Sequence, residues 1–142
     1  MNQLKSEMKL MIINGPNLNL VGTREPSIYG SISVKEYFKE LQLNRDVSLE
    51  YFQTNSEGEI IDKLQSATCD GIILNAGAYS HTSIAIRDCI SAIKIPVIEV
   101  HISNIAARES FRHDSVLSPV CKGTIFGFGL KGYELAILSF TI

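Results

Sequence analysis

GIILNAG, residues 71–77, is the stretch that decides how this chain folds. Gly71–Leu74 is apolar at every position, so a strand formed there has no face to offer to water. Strands apolar on both sides belong in sheets covered on both faces, the usual setting of parallel strands. Immediately after it, Asn75-Ala76-Gly77 turns small and polar, the composition of a turn. Further runs of the same kind lie on either side: Leu10–Ile13, Leu49–Phe52 and Pro96–Val100, with a weaker fifth at Thr124–Phe128.

Helical marks fill the gaps. Ser33-Val34-Lys35-Glu36 is a capping box, and Val34, Tyr37, Phe38 and Leu41 follow at helical spacing. Ser56-Glu57-Gly58-Glu59 is a second box, ahead of Ile60, Ile61 and Leu64. Ile86, Cys89, Ile90 and Ile93 make one stripe of a third helix, and Tyr133–Phe140 reads as a last one. Strands alternating with helices define an α/β protein, and at 142 residues a flavodoxin-like three-layer α/β/α sandwich around a five-stranded parallel sheet is the expected architecture. Residues 8–142 read as a single domain and residues 1–7 as a polar leader. No repeat, linker or low-complexity tract interrupts them.

Composition narrows the function. A net charge of −2 gives no basic field for nucleic acid or an acidic membrane surface. The start is too polar for a signal peptide, and no apolar run approaches a membrane span. Cys69, Cys89 and Cys121 are odd in number and lack zinc-type spacing, which fits reduced, mostly buried thiols in a cytosolic protein. The three histidines are scattered with no carboxylate or thiolate at ligand spacing, so no metal site is expected.

In open α/β sheets, sites lie beyond the carboxyl ends of the strands. Those ends read Asn14-Gly15-Pro16-Asn17, Gln53-Thr54-Asn55, Asn75-Ala76-Gly77 and His101-Ile102-Ser103-Asn104. Amides and one histidine therefore converge on a single edge. No strand ends in an aspartate that could accept a phosphoryl group, and GxxxxGK[ST] is absent. Gly127-Phe128-Gly129 with Gly132 is only a fragment of a dinucleotide turn. Neutral amides, hydroxyls and a few arginines suit a small, hydroxylated anion.

Glu99 and His101 stand at i and i+2 of one strand, so they share a face. A carboxylate beside an imidazole fixes its tautomer and favours its charged form, which suits a general acid; the competing reading is a satisfied structural histidine. His81, in the Gly77–Thr82 loop, is placed to donate to a ligand, whereas His113 reads as a surface residue. Arg108 and Arg112 are one helical turn apart, as are Arg87 and Ser91, and such charges by default form a solvated face. Asp88 falls off the apolar stripe and should be exposed. The loop Gly15–Ser31 is long for a βα connection and carries Arg24 and Tyr29. A free tyrosine is a poor base near neutral pH, but an adjacent guanidinium stabilises its phenolate. Tyr29-Gly30 is equally readable as a turn with an anchoring aromatic.

Five motifs in order carry a resemblance: INGPNLNLVGTREPSIYG at 13–30, QTNSEGEIID at 53–62, ILNAGAYSHTSIAIRD at 73–88, PVIEVHISNIAARESFRHDSVLS at 96–118, and GTIFGFGLKGYELAI towards the C-terminus. Together they resemble the type II dehydroquinases from about residue 8 to the last helix. The resemblance implies a cofactor-free loss of water from 3-dehydroquinate through an enolate, with anti geometry. It implies Tyr29 as base with Arg24 lowering its pKa, Asn17 holding a water against the enolate oxygen, and His101 as acid oriented by Glu99. It further implies that Ile102 and Ser103 grip the substrate carboxylate, and that Asn75, His81 and Arg112 bind the ring hydroxyls. Leu20–Ser31 would be a lid. Asp88 would reach a neighbouring subunit's site in a dodecamer built from trimers. Thr54 stands where the family usually has serine. The competing functions are a non-catalytic binding module for a small cyclic carboxylate, and a flavin or nucleotide electron carrier, which would need a phosphate loop that this chain lacks.

Overall fold

The computed structural model describes residues 7–21, 33–43 and 46–142. Arg24, Tyr29 and all of the expected lid except Leu20 and Val21 lie outside the described residues, as does the leader up to residue 6. Five parallel strands, β1 (Met8–Asn14), β2 (Val47–Gln53), β3 (Gly71–Asn75), β4 (Val97–His101) and β5 (Gly123–Phe126), are ordered β2-β1-β3-β4-β5. Among the described residues four helices connect or follow them: α1 (Val34–Leu43), α2 (Glu57–Ser66), α3 (Ile84–Ala92) and α4 (Lys131–Thr141). The expected flavodoxin-like order is therefore observed, with its switch point between β1 and β3.

Alternation along the strands builds two cores. On one side of the sheet, Leu10, Ile12, Ile73, Ile98 and Val100 pack against Phe38 of α1 and Tyr133, Ala136 and Ile137 of α4. On the other, Met11, Ile13, Ile72, Leu74 and Val97 meet Ile60 and Leu64 of α2 and Ile86, Cys89 and Ile90 of α3. Successive residues of β1 and β3 thus supply opposite cores, which is why their sequences are continuously apolar. By the same alternation Glu99 and His101 share the parity of Val97.

Both expected capping serines act. Ser33 Oγ accepts from the Glu36 amide at 3.1 Å and Ser56 Oγ from the Glu59 amide at 3.2 Å. In the second box the return bond is relayed. The Ser56 amide donates to Thr54 Oγ1 at 3.1 Å, and that hydroxyl donates to Glu59 Oε2 at 2.5 Å. Two expectations are corrected. β5 stops at Phe126 instead of Phe128, because Gly127 (φ 97°) and Gly129 (φ 63°) turn the backbone into the left-handed region. Arg108 and Arg112 do not share a helix; they flank and end short 3-10 turns at Ile105–Ala107 and Ser110–Arg112.

Gly15 fixes the approach of the loops after β1 and β3. Its amide donates to the Asn75 carbonyl at 2.7 Å, and a Cβ there would stand 2.6 Å from the Ala76 carbonyl oxygen. Backbone on both sides leaves little room to yield. Gly15→Ala is expected to lower unfolding free energy by about 1–3 kcal/mol in urea titrations; an unchanged midpoint would show that the loops part without cost.

Candidate active site

The carboxyl ends of β1, β3 and β4 open onto a cleft of about 270 Å³, room for one small ring compound. Seven of the eleven expected site residues line it: Asn17, Asn75, His81, His101, Ile102, Ser103 and Arg112. Glu99 lies directly behind His101. Asp88 does not reach this cleft and sits on the exposed face of α3. Arg24 and Tyr29 are outside the described residues.

Glu99 is 0% exposed and His101 5%. His101 Nε2 lies 2.5 Å from Glu99 Oε2, which also accepts from Ser115 Oγ at 2.6 Å. Oε1 accepts from Ser118 Oγ at 2.5 Å and from Thr124 Oγ1 at 3.1 Å. Burial alone would raise the Glu99 pKa, but the bonds from His101, Ser115 and Ser118, with the imidazole's charge, hold it below the usual carboxylate range. Glu99 is thus an anion at neutral pH, and it occupies Nε2. Nδ1 of His101 is the nitrogen with no partner among the described residues.

His81 is set by a different contact. Its Nδ1 lies 2.9 Å from the carbonyl of Asp114, which can only accept, so Nδ1 carries a proton and Nε2 is left for the cleft. The two imidazoles stack with centroids 6.0 Å apart. One irregular segment therefore positions both histidines, His81 through Asp114 and His101 through Ser115 and Ser118. It is anchored by Val116, whose amide donates to Ser80 and whose carbonyl accepts from Arg87 Nη1 at 2.8 Å, and by fully buried Leu117.

Asn17 adopts φ 70°, a left-handed conformation that asparagine tolerates, and its amide donates to Asn55 Oδ1 at 3.1 Å. This leaves its side chain at the mouth of the cleft. Asn75 is 3% exposed and firmly held, with Nδ2 donating to Tyr133 Oη at 2.9 Å and Oδ1 accepting from the Gly77 amide at 3.2 Å. The amides of Ile102 and Ser103 donate to no described residue. With the Ser103 hydroxyl they leave a corner of free donors, the kind of arrangement that can hold an anion.

Arg108, weighed from sequence only as a surface charge, also lines the cleft, with Nη1 3.5 Å from Ser103 Oγ. Arg112 is held by Glu109 at 2.7 Å and lies over the Phe111 ring. Sequence reasoning also missed Ser115, Ser118 and Thr124 around Glu99, and Tyr133, which joins Asn75 to Asn14. The strand-end amides Gln53 and Asn55, by contrast, serve the loops: Gln53 Nε2 donates to the Gly15 carbonyl at 3.1 Å, and Asn55 receives Asn17.

The chemistry this arrangement offers is acid catalysis beside an anion-binding corner. Burial pushes all three thiols up, Cys121 to about 12 with help from the charge of Glu99, so none supplies a thiolate nucleophile near neutral pH. Among the described residues no three histidine, cysteine or acidic side chains gather as metal ligands. No helix among them is long and apolar enough to cross a membrane.

Known proteins with the same pattern are many. The profile of the family Dehydroquinase class II matches residues 8–141. A 3-dehydroquinate dehydratase of an Exiguobacterium species is 58% identical over 133 residues, 92% of this chain and 92% of that protein. One from Campylobacter jejuni is 53% identical over 136 residues, 92% of this chain and 86% of its own length. The crystal structure of a type II dehydroquinase from Butyrivibrio crossotus superposes with a TM-score of 0.91 at 48% identity, covering 97% of this chain and all of that one. Family profile, close relatives and backbone agree along nearly the whole length, and the chain belongs to the class II dehydroquinases.

Proposed function

We propose that this chain is a type II 3-dehydroquinate dehydratase acting in the shikimate pathway of aromatic amino acid biosynthesis, a cytoplasmic enzyme that needs no cofactor. The observation that carries this is the buried Glu99–His101 pair at the rim of a cleft with an anion-binding corner. Three steps make the reaction. Tyr29, as its phenolate, removes the proton from C2 of 3-dehydroquinate, with Arg24 stabilising the phenolate charge. The electron pair moves into the ring ketone as an enolate, and Asn17 holds a water against the developing oxygen charge. The enolate then collapses and expels the C1 hydroxyl, which takes a proton from His101 Nδ1 and departs as water. A C1–C2 double bond conjugated with the ketone remains, giving 3-dehydroshikimate.

The other residues orient the ring. The amides of Ile102 and Ser103, with the serine hydroxyl and Arg108 nearby, are placed to grip the carboxylate. The second Nδ2 proton of Asn75, Nε2 of His81 and Arg112 take ring hydroxyls. Glu99 keeps His101 oriented. Asp88, exposed on α3, belongs to the site of a neighbouring subunit, in a homododecamer built from trimers.

Mixing the protein with 3-dehydroquinate should generate the ultraviolet absorbance of a conjugated enone without added metal or nucleotide. Binding of a carboxylated cyclitol with no turnover would instead identify a non-catalytic module. Tyr29→Phe and His101→Ala should each lower kcat by at least about 10²-fold, the usual scale of general acid–base catalysis, with the oligomer intact by light scattering. Full activity in either variant would remove the role given to that residue. If Asp88 completes a neighbour's site, Asp88→Ala should raise KM, and mixed oligomers of Asp88→Ala with His101→Ala should contain some complete sites. Mixed oligomers no more active than the two variants assembled separately would overturn that placement.

A further inference from the structure

Nothing in the family's chemistry as set out above uses Ser115, Ser118 or Thr124, yet together they supply every bond to Glu99 other than that from His101. Oε2 receives His101 and Ser115, and Oε1 receives Ser118 and Thr124. Proton counting is consistent. Ser115 and Ser118 each have one hydroxyl proton, and both are directed at Glu99. Thr124 has one proton to share between Glu99 Oε1 and Ser118 Oγ, each 3.1 Å away. The Ser115 oxygen also accepts the amides of Leu117 at 3.1 Å and Ser118 at 3.2 Å, so the backbone aims its hydroxyl.

The geometry points to Ser118, with Ser115 and Thr124, as positioning residues that keep Glu99 a carboxylate and thereby keep His101 a strong acid. A carboxylate removed from water takes up a proton unless other donors replace its hydration. The most acidic proton bonded to it is the one on His101 Nε2, 2.5 Å away. If it moved to Glu99, the ring would still carry hydrogen at Nδ1, but as neutral imidazole, a far weaker acid than imidazolium. The hydroxyl cage prevents this because it stabilises the anion without adding any positive charge. Among the described residues, the titratable groups facing the pair are few. Cys121 stays a neutral thiol beside Glu99, and His81 stacks on the outer side of His101. Arg108 stands beyond Ser103, and Arg87 reaches only the Val116 carbonyl. Beside His101 itself, the hydroxyls are therefore what holds the charge in place.

The inference rests on His101 being the acid, so its test pairs activity with a direct view of the ring. For the intact oligomer of Ser118→Ala, kcat near neutral pH should fall about tenfold, the scale of one bond to a charged group, with KM changed less than about twofold. The sign of the pH effect follows from the carboxylate. Glu99 is ionised down to unusually low pH in the native protein, and with one donor fewer it protonates earlier on acidification, so the acidic limb of kcat should move to higher pH. Nitrogen-15 shifts of the His101 ring should show Nε2 losing proton occupancy. Ser118→Thr, which restores a hydroxyl, should restore the limb and the shifts. Should Ser118→Ala not assemble, Thr124→Val removes only the 3.1 Å donor and should move the same readouts in the same direction by less. Unchanged limb and ring shifts in a folded variant would overturn the proposal, as would a kcat loss with no limb shift. If the unmutated protein shows no turnover, the dehydratase reading fails by itself, and the nitrogen shifts still decide the role of the cage.

Discussion

A carboxylate with no access to water lies at the centre of this site, and much of the surrounding structure follows from it. Glu99 is 0% exposed on a strand whose other buried positions, His101 apart, are aliphatic, so most of its donors must come from elsewhere in the chain. One donor is the imidazole two residues on. The other three come from β5 and from the irregular segment that follows the 3-10 turn at Ser110–Arg112. That segment has little regular structure of its own. Its conformation is set by where Ser115 and Ser118 must point, with buried Leu117 holding it against the second core. Because Asp114 in the same segment fixes His81, the demand of one buried anion extends to both histidines.

A second polar chain stiffens the opposite wall. Tyr133 is wholly buried, packs edge-on against Phe38 at 4.8 Å, and links Asn75 Nδ2 to Asn14 Oδ1. Burial pushes its phenol pKa well up, so it is a neutral hydrogen-bond bridge and no base. It ties α4 to the ends of β1 and β3, where the sheet order switches. Asn75 is therefore oriented from the core outwards, its carbonyl fixed by Gly77 and half its amide by Tyr133. A ligand meets a preset donor at that point, which lowers the ordering cost of binding.

Residues that obey a local period were legible in the sequence, and residues placed by tertiary packing were not. Leu10–Ile13 and GIILNAG announced strands because burial on both faces leaves a continuous apolar run, while Leu49–Phe52 and Pro96–Val100 did so around one glutamate each. Ser33 and Ser56 announced helix starts, because a cap is a local bond. Glu99 and His101 could be paired because a strand puts i and i+2 on one face. Ser115 and Ser118 could not, since their partner lies 16 and 19 residues back and nothing periodic connects them. Tyr133 was hidden for the opposite reason: it sat in a regular helical stripe and looked like ordinary core. The overlong β5 and the helix imagined through Arg108 and Arg112 were failures of period too, since apolar content outlasted the strand and four-residue spacing arose from two separate turns.

The charge distribution explains why the anion is hidden. A substrate bearing a carboxylate would be repelled by an exposed glutamate, yet a carboxylate close to an imidazole orients it and favours its protonated form. Placing Glu99 behind His101 satisfies both requirements. The cleft presents amide donors, Ser103, Arg108 and Arg112, while the carboxylate faces inward onto neutral hydroxyls. Had arginine or lysine replaced those hydroxyls, the anion would be equally stable, but its charge would be cancelled by a cation other than His101 and the imidazolium would lose its advantage. Neutral donors stabilise the carboxylate while leaving the imidazole as its only basic partner among the described residues. That selectivity is what the acid role proposed for His101 requires.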